Sequence, residues 1–105
     1  MLLLLGGRRK ILTMISDNYY PKKRNDILQE DLEDGCVLYN KKKNEVYTLN
    51  TSAAFVWEYC DGHNNLEQIS QELASTCDLK VVDVIDEVRK IIINFQKNSI
   101  LIVDT

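Results

Sequence analysis

A chain of 105 residues supplies one small domain, since it is too short for a catalytic domain together with a regulatory one. Hydrophobic residues make up 45% and charged residues 28%, with a single proline, which excludes a disordered, collagen-like or low-complexity chain. Residues 1–25 carry six basic side chains and one acidic side chain, so the net charge of −3 leaves −8 for residues 26–105. So acidic a domain disfavours nucleic acid as a partner.

The first 25 residues are predicted to form a flexible basic extension, followed by the folded domain at residues 26–105. Met1–Leu5 is a short apolar run that precedes the first basic residues, whereas a secretory signal places its positive charge first. Five residues also fall far short of the roughly 20 that cross a bilayer, so we expect no membrane partner. Met14 offers an alternative start, which would make residues 1–13 an accessory or wrongly assigned tail.

Three short runs with strand character open the domain. Ile27–Leu32 is the first, Cys36–Tyr39 follows the turn dipeptide Asp34–Gly35, and Val46–Leu49 places Tyr and Thr between its aliphatic residues. The polar segment Asn40–Glu45 contains three consecutive lysines, whose mutual repulsion keeps a hairpin tip in water. The order predicts a small three-stranded antiparallel sheet.

Three helices and a short terminal strand are predicted to follow. Asn50–Ser52 can cap an apolar helix that ends at Asp61–Gly62, and Asn65 can cap an amphipathic second helix. The third helix is predicted over Val81–Lys97, and Ile100–Val103 is a last short strand. This α+β order is typical of a winged helix-turn-helix.

The third helix has more apolar residues than one stripe can hold. At 100° per residue, Val82 and Ile93 lie about 100° from the main apolar face, on a strip shared with Asp86 and Arg89. This strip either binds a partner, packs on the sheet or joins two copies of the chain. The core-facing residues are predicted to be Val81, Val84, Ile85, Val88, Ile91, Ile92 and Phe95.

Cysteine and histidine are too sparse for a metal site or a catalytic pair. Cys36, Cys60 and Cys77 contain no CxxC, and their odd number leaves no complete disulfide framework, as is typical of reduced cytoplasmic thiols. His63 is the single histidine and lies in a predicted turn, and Cys36 lies in an apolar strand where a thiol is usually inert. We therefore expect no metal, no cofactor and no enzymatic activity.

DNA binding is the first alternative that a winged helix suggests. The N-terminal half of the third helix would enter the major groove, but it carries Asp83, Asp86 and Glu87 against Lys80 and Arg89. Such a surface repels phosphates, so this alternative is disfavoured.

A peptide-binding module fits the predicted elements better. A sheet of three strands keeps an edge whose unpaired N–H and C=O groups can accept an added strand. If Val46–Leu49 lies at that edge beside the third helix, backbone and side-chain contacts are offered together. The candidate peptide-binding residues are Val46, Tyr47, Thr48, Leu49, Val82, Asp86, Arg89 and Ile93.

The order of the motifs resembles a known family, the pyrroloquinoline quinone (PQQ) biosynthesis protein D family, over roughly residues 27–103. Its most specific part is Leu49–Asn50, followed by Trp57 and then by Asp61–Gly62. The segments that carry the resemblance are Glu33–Leu38, Tyr47–Ala53, Val56–Glu58, Leu66–Ile69, Asp83–Val84 and Ile100–Leu101.

The resemblance implies a recognition element for ribosomally synthesised and post-translationally modified peptides (RiPPs). Such a module binds the leader of a precursor peptide and presents it to a modifying enzyme, often a radical SAM protein. In that family the leader adds to the third strand and rests on the third helix, which points to the eight residues above. Leu49, Trp57 and Leu66 are better assigned to the core.

Two departures favour a relative serving another peptide product over a dedicated PQQ protein. Asn98–Ser99 stands where the family usually has Gly, and the basic N-terminal extension is unlike the short family N-terminus. A leader-binding chaperone is therefore the main expectation, with a DNA-binding winged helix and a homodimeric scaffold as alternatives.

Overall fold

The computed structural model describes residues 15–103, so the predictions made for residues 1–13 lie outside the described residues. All predicted strands of the sheet and all three predicted helices are present. Within these residues, no helix is long and apolar enough to cross a membrane. The elements are β1 (Ile27–Leu32), β2 (Gly35–Asn40), β3 (Glu45–Asn50), α1 (Thr51–Glu58), α2 (Leu66–Cys77) and α3 (Val81–Lys97).

The three strands form an antiparallel sheet in the order β1-β2-β3. Side chains alternate between the two faces of a strand, and Cys36 and Leu38 of β2 are buried on the face that the helices cover. Their partners on β3 are Leu49 and Tyr47, which therefore share this face. The predicted meander is confirmed.

Glycine is required at position 35, at the start of β2, because the backbone of β3 passes close to its Cα. Its φ of +150° is rarely adopted by residues with a side chain, and a Cβ there would lie 1.9 Å from the Leu49 carbonyl oxygen. The turn between β1 and β2 therefore depends on glycine at this position.

The helices begin at the predicted caps. The Asn50 side chain accepts from the Ala53 N–H at 2.9 Å, and Asn65 forms a capping box with Gln68. Helix α1 ends at Glu58, earlier than the predicted end at Asp61–Gly62, because the chain tightens after Trp57 into a turn in which Gly62 takes φ +86°. The bounds of α3 match the prediction.

The core lies between the helix-facing side of the sheet and the three helices. Trp57 is 1% exposed, packs edge-on against Phe95 at 5.4 Å between ring centroids, and donates its indole N–H to the Gln29 side chain at 3.0 Å. Leu49 and Leu66 are also buried, as predicted, and so are five of the seven residues assigned to the core face of α3. The other two, Val81 and Ile85, are partly buried against the same core.

The described part of the N-terminal extension lies against the domain. Pro21 is buried, and Ile15 and Tyr19 pack on the core, so contacts with the core begin before Asp26. The next residues pair with the end of the chain: Arg24 N–H donates to Ile100 at 3.0 Å and Ile102 N–H donates to Lys22 at 2.8 Å. The predicted terminal strand is represented by a β-bridge between Lys23 and Leu101.

Candidate functional site

Among the residues that the structure describes, strand β3 is an edge of the sheet and pairs with β2 alone. Beside its outer edge lies a groove of about 520 Å³ whose opposite wall is helix α3. The groove is lined from β3 by Val46, Tyr47, Thr48, Leu49 and Asn50, and from the rest of the chain by Ala53, Glu87, Lys90, Ile91, Asn94, Phe95, Asn98 and Ile100. A strand edge and a helix flank therefore face one space.

Tyr47 connects the two walls of the groove. Its hydroxyl donates its single proton to the Glu45 carboxylate, and the Asn98 carbonyl at the end of α3 lies 3.4 Å from the same hydroxyl oxygen. The hydrogen bond to Glu45 raises the pKa of the Tyr47 hydroxyl, so this group stays protonated as a donor. These contacts fix the edge of β3 relative to the C-terminal end of α3.

The groove combines an apolar floor with a polar wall. Ile91 and Phe95 are buried in the domain core beneath it, whereas Glu87, Lys90 and Asn94 are exposed on α3. Within residues 15–103, no ion pair within 4.0 Å engages Glu87 or Lys90. Both charges are therefore available to a bound ligand.

The structure does not bring the predicted helix strip beside β3. Val82 is 74% exposed, Asp86 and Arg89 form an ion pair with each other, and Ile93 is partly buried away from the groove lining. Their involvement in binding stays a prediction.

The three exposed residues of α3 that line the groove each come directly after a residue of the predicted strip. Glu87 follows Asp86, Lys90 follows Arg89 and Asn94 follows Ile93, and one residue turns an α-helix by about 100°. Sequence periodicity predicts the buried face of α3, but it does not indicate which side of that face lies next to β3. A polar flank of Glu, Lys and Asn gives no signal that separates it from an ordinary solvated surface.

Two of the three cysteines, Cys36 and Cys60, are buried, whereas Cys77 is exposed at the end of α2. Burial raises the pKa of the Cys36 thiol and raises that of Cys60 to about 12, so both stay protonated. The backbone N–H of His63 donates to the Asp61 carboxylate in the turn after α1. Among residues 15–103, no group of three possible metal ligands is found.

The fold and the groove together define a class of protein: a small α+β domain with an open strand edge beside a helix. The chain belongs to the family described as Coenzyme PQQ synthesis protein D (PqqD), whose family model matches residues 35–101. Among curated protein sequences, none matches the chain.

Three solved structures share the fold. The PqqD truncation of Methylobacterium extorquens PqqCD, described as a functional and stand-alone RiPP recognition element, is 20% identical with a TM-score of 0.71, covering 88% of this chain and 98% of that one. TbiB1 in complex with the TbiA(beta) leader peptide is 13% identical with a TM-score of 0.69, covering 80% and 98%. Lasso peptide synthetase B1 complexed with the leader peptide is 18% identical with a TM-score of 0.69, covering 81% and 100%.

Proposed function

We propose that this protein is a non-catalytic RiPP recognition element that binds the leader of a precursor peptide as an added strand on β3. The observation that carries the proposal is the open edge of β3 facing the groove along α3. Two structures of the same fold hold leader peptides, which supports a peptide as the ligand.

The groove supplies both parts of strand-addition recognition. Backbone groups along Val46–Leu49 pair with the leader and give affinity for any extended segment. Alternate leader side chains then face α3, where an apolar side chain rests on Ile91 and an acidic one lies near Lys90. The leader we expect is therefore extended, with an apolar anchor and a nearby carboxylate.

The chemistry on the peptide is assigned to a separate modifying enzyme. The thiols of Cys36 and Cys60 are buried and protonated. The groove presents amides, an amine, a carboxylate and the hydroxyls of Tyr47 and Thr48, and the hydrogen bond to Glu45 keeps the Tyr47 hydroxyl protonated, so we assign no nucleophile to the groove. We propose that the protein acts in the cytoplasm and presents the leader to a modifying enzyme, with a radical SAM protein as the first candidate.

The first experiment is an NMR titration of the labelled protein with leader segments of short peptides encoded beside its gene. Amide shifts at Val46–Leu49 and Glu87–Asn94 are the expected result, and the core segments of the same peptides serve as controls. A response to duplex DNA with none to any leader segment would overturn the proposal in favour of a DNA-binding protein.

Two neighbouring substitutions locate the leader on α3. Asn94→Trp places a bulky side chain into the groove and is expected to abolish leader binding, because the added strand needs that space. Ile93→Trp is the matched control, one residue away on the strip predicted from the sequence. If Ile93→Trp abolishes binding and Asn94→Trp does not, the leader lies on the Val82–Ile93 strip instead.

A further inference from the structure

Two asparagine side chains on the α3 wall of the groove are hydrogen-bonded to each other. The Asn98 side-chain N–H donates to the Asn94 Oδ1 at 3.0 Å, because residues four apart on a helix lie one above the other. Asn94 is exposed, Asn98 is half-buried, and both line the groove. No other hydrogen bond within residues 15–103 engages either side-chain amide. The bond therefore orients two amides that still have hydrogen-bonding groups to offer.

The groups left over by this bond are a donor and an acceptor. A side-chain amide has one carbonyl oxygen and two N–H groups. Because the Asn94 oxygen accepts, both of its N–H groups stay available as donors. Because the Asn98 nitrogen donates, its carbonyl oxygen stays available as an acceptor. The pair therefore offers a donor and an acceptor together at the wall of the groove.

A primary amide is the side chain that complements this pair. The oxygen of an Asn or Gln side chain can accept from Asn94 while its N–H donates to the Asn98 oxygen. A carboxylate has no proton for the Asn98 oxygen, and an ammonium group has no acceptor for the Asn94 N–H. An apolar side chain would cover both amides and leave them unpaired, which costs free energy.

The spacing along α3 sets the distance between this pair and Lys90. Asn94 and Lys90 are four residues apart, which is about 6 Å along a helix axis. Alternate side chains of an extended strand are about 6.6 Å apart. The lined part of α3, Glu87–Asn98, is about 16 Å long, and the lined part of β3, Val46–Asn50, is about 13 Å long. An extended peptide between these walls can therefore place one side chain at Lys90 and the next on the same face at Asn94.

We infer that the Asn94–Asn98 pair binds a side-chain amide of the leader, an Asn or Gln two residues from the acidic residue that lies near Lys90. This inference rests on the proposed function, since it takes the leader to be a strand on β3 with alternate side chains toward α3. Backbone pairing to β3 accepts many extended segments. The pair adds selectivity for segments in which an amide and a carboxylate are separated by one residue.

Titration calorimetry of the full chain with the leader segment that binds in the NMR titration tests the protein side of this contact. Asn94→Leu and Asn98→Leu keep a side chain of similar size without the amide, and each is expected to weaken binding by about threefold to tenfold. Gln71→Leu is the control, because it removes an exposed amide from α2 outside the groove, and its affinity should stay within twofold. Circular dichroism checks that all variants are folded. Unchanged affinity in both asparagine variants would overturn the inference and leave leader binding itself intact.

Substitution in the peptide tests the other side of the contact. Replacing the leader's Asn or Gln with Leu should weaken binding to the unsubstituted protein by a similar factor. It should cause no further loss with Asn94→Leu, because the hydrogen bond is already absent there. Losses that add in full, or a bound leader with no amide two residues from its acidic residue, would overturn the inference. If no leader segment binds at all, the proposed function itself fails, so the two failures are distinguishable.

Discussion

The two edges of the sheet, β1 and β3, present similar rows of backbone groups in different surroundings. Edge β1 carries Glu30 and Asp31, and its helix-facing Gln29 bridges Trp57 and Glu58. Edge β3 has uncharged residues from Val46 to Asn50 and a helix beside it. Charged side chains discourage strand addition, whereas a neighbouring helix gives an incoming strand side-chain contacts. Whether an edge strand is suited to strand addition therefore depends on the side chains and elements that flank it, since the backbone groups of β1 and β3 are alike.

The largest effect is expected from a substitution in the core, which supports both edges of the sheet. Trp57→Ala removes the indole packed on Phe95 and is expected to lower the free energy of unfolding by about 3–5 kcal/mol. Gln29→Ala removes only the hydrogen bond on the β1 side and should cost about 1 kcal/mol. Urea unfolding of both variants checks this, and equal losses would contradict the core role of Trp57.

Hydrogen exchange separates the two edges directly. At a free leader concentration of about a hundred times the dissociation constant, the outward amides of β3 should exchange about a hundredfold more slowly, if they exchange only from the unbound protein. Only every second amide of an antiparallel edge points outward, so the protection should alternate along Val46–Leu49. Amides of β1 should not change, and protection at β1 instead would place the leader on the wrong edge.

A charge reversal on α3 tests whether Lys90, in the groove beside β3, contacts the leader. Lys90→Glu is expected to weaken binding of a leader with an acidic side chain by about threefold to tenfold, the size of an exposed charge interaction reversed in sign. Arg89→Glu, one residue away and outside the groove, should leave the affinity within twofold. Titration calorimetry at low salt measures both, and equal losses would indicate a general charge effect.

The smallest effect concerns the entry to β1. The Arg24 guanidinium hydrogen-bonds to Asp26 and lowers the pKa of that carboxyl. Its stabilisation is present above the ordinary pKa of an aspartate, about 3.9, and is lost as pH falls through the lower pKa of the folded state. Asp26→Asn should therefore reduce slightly the dependence of the melting temperature on pH below about pH 4. An unchanged profile would show that the exposed pair contributes nothing measurable.

Local patterns predicted most of the fold, because the signals lie close together in sequence. Strand alternation gave β1 to β3, and the caps at Asn50 and Asn65 gave the starts of α1 and α2. The β3 half of the candidate site followed from its position as the last strand of a short meander. These inferences need only neighbouring residues.

The helix half of the site could not be predicted because it depends on tertiary packing. The apolar residues of α3 specify its buried direction, but the crossing of α3 over the sheet decides whether Arg89 or Lys90 adjoins β3. The packing of Pro21 was missed for a related reason, since an irregular segment has no periodicity to mark its burial. The Pro21 carbonyl accepts from the Gly62 N–H and the Lys22 carbonyl from the Ile102 N–H, so the partners lie about 40 and 80 residues further along the chain.

The pairing of residues 22–24 with residues 100–102 determines how the domain responds to tension. Lys22 pairs with Ile102 and Arg24 with Ile100, so the incoming and outgoing chains lie side by side at the same end of this short ladder. A force that pulls the two terminal segments apart loads these hydrogen bonds one after another and does not load them all at once in shear. The last bond to open is the one at Ile100, which also lines the groove. Stretching the domain by its ends would therefore disturb the wall of the groove in which we propose that the leader binds.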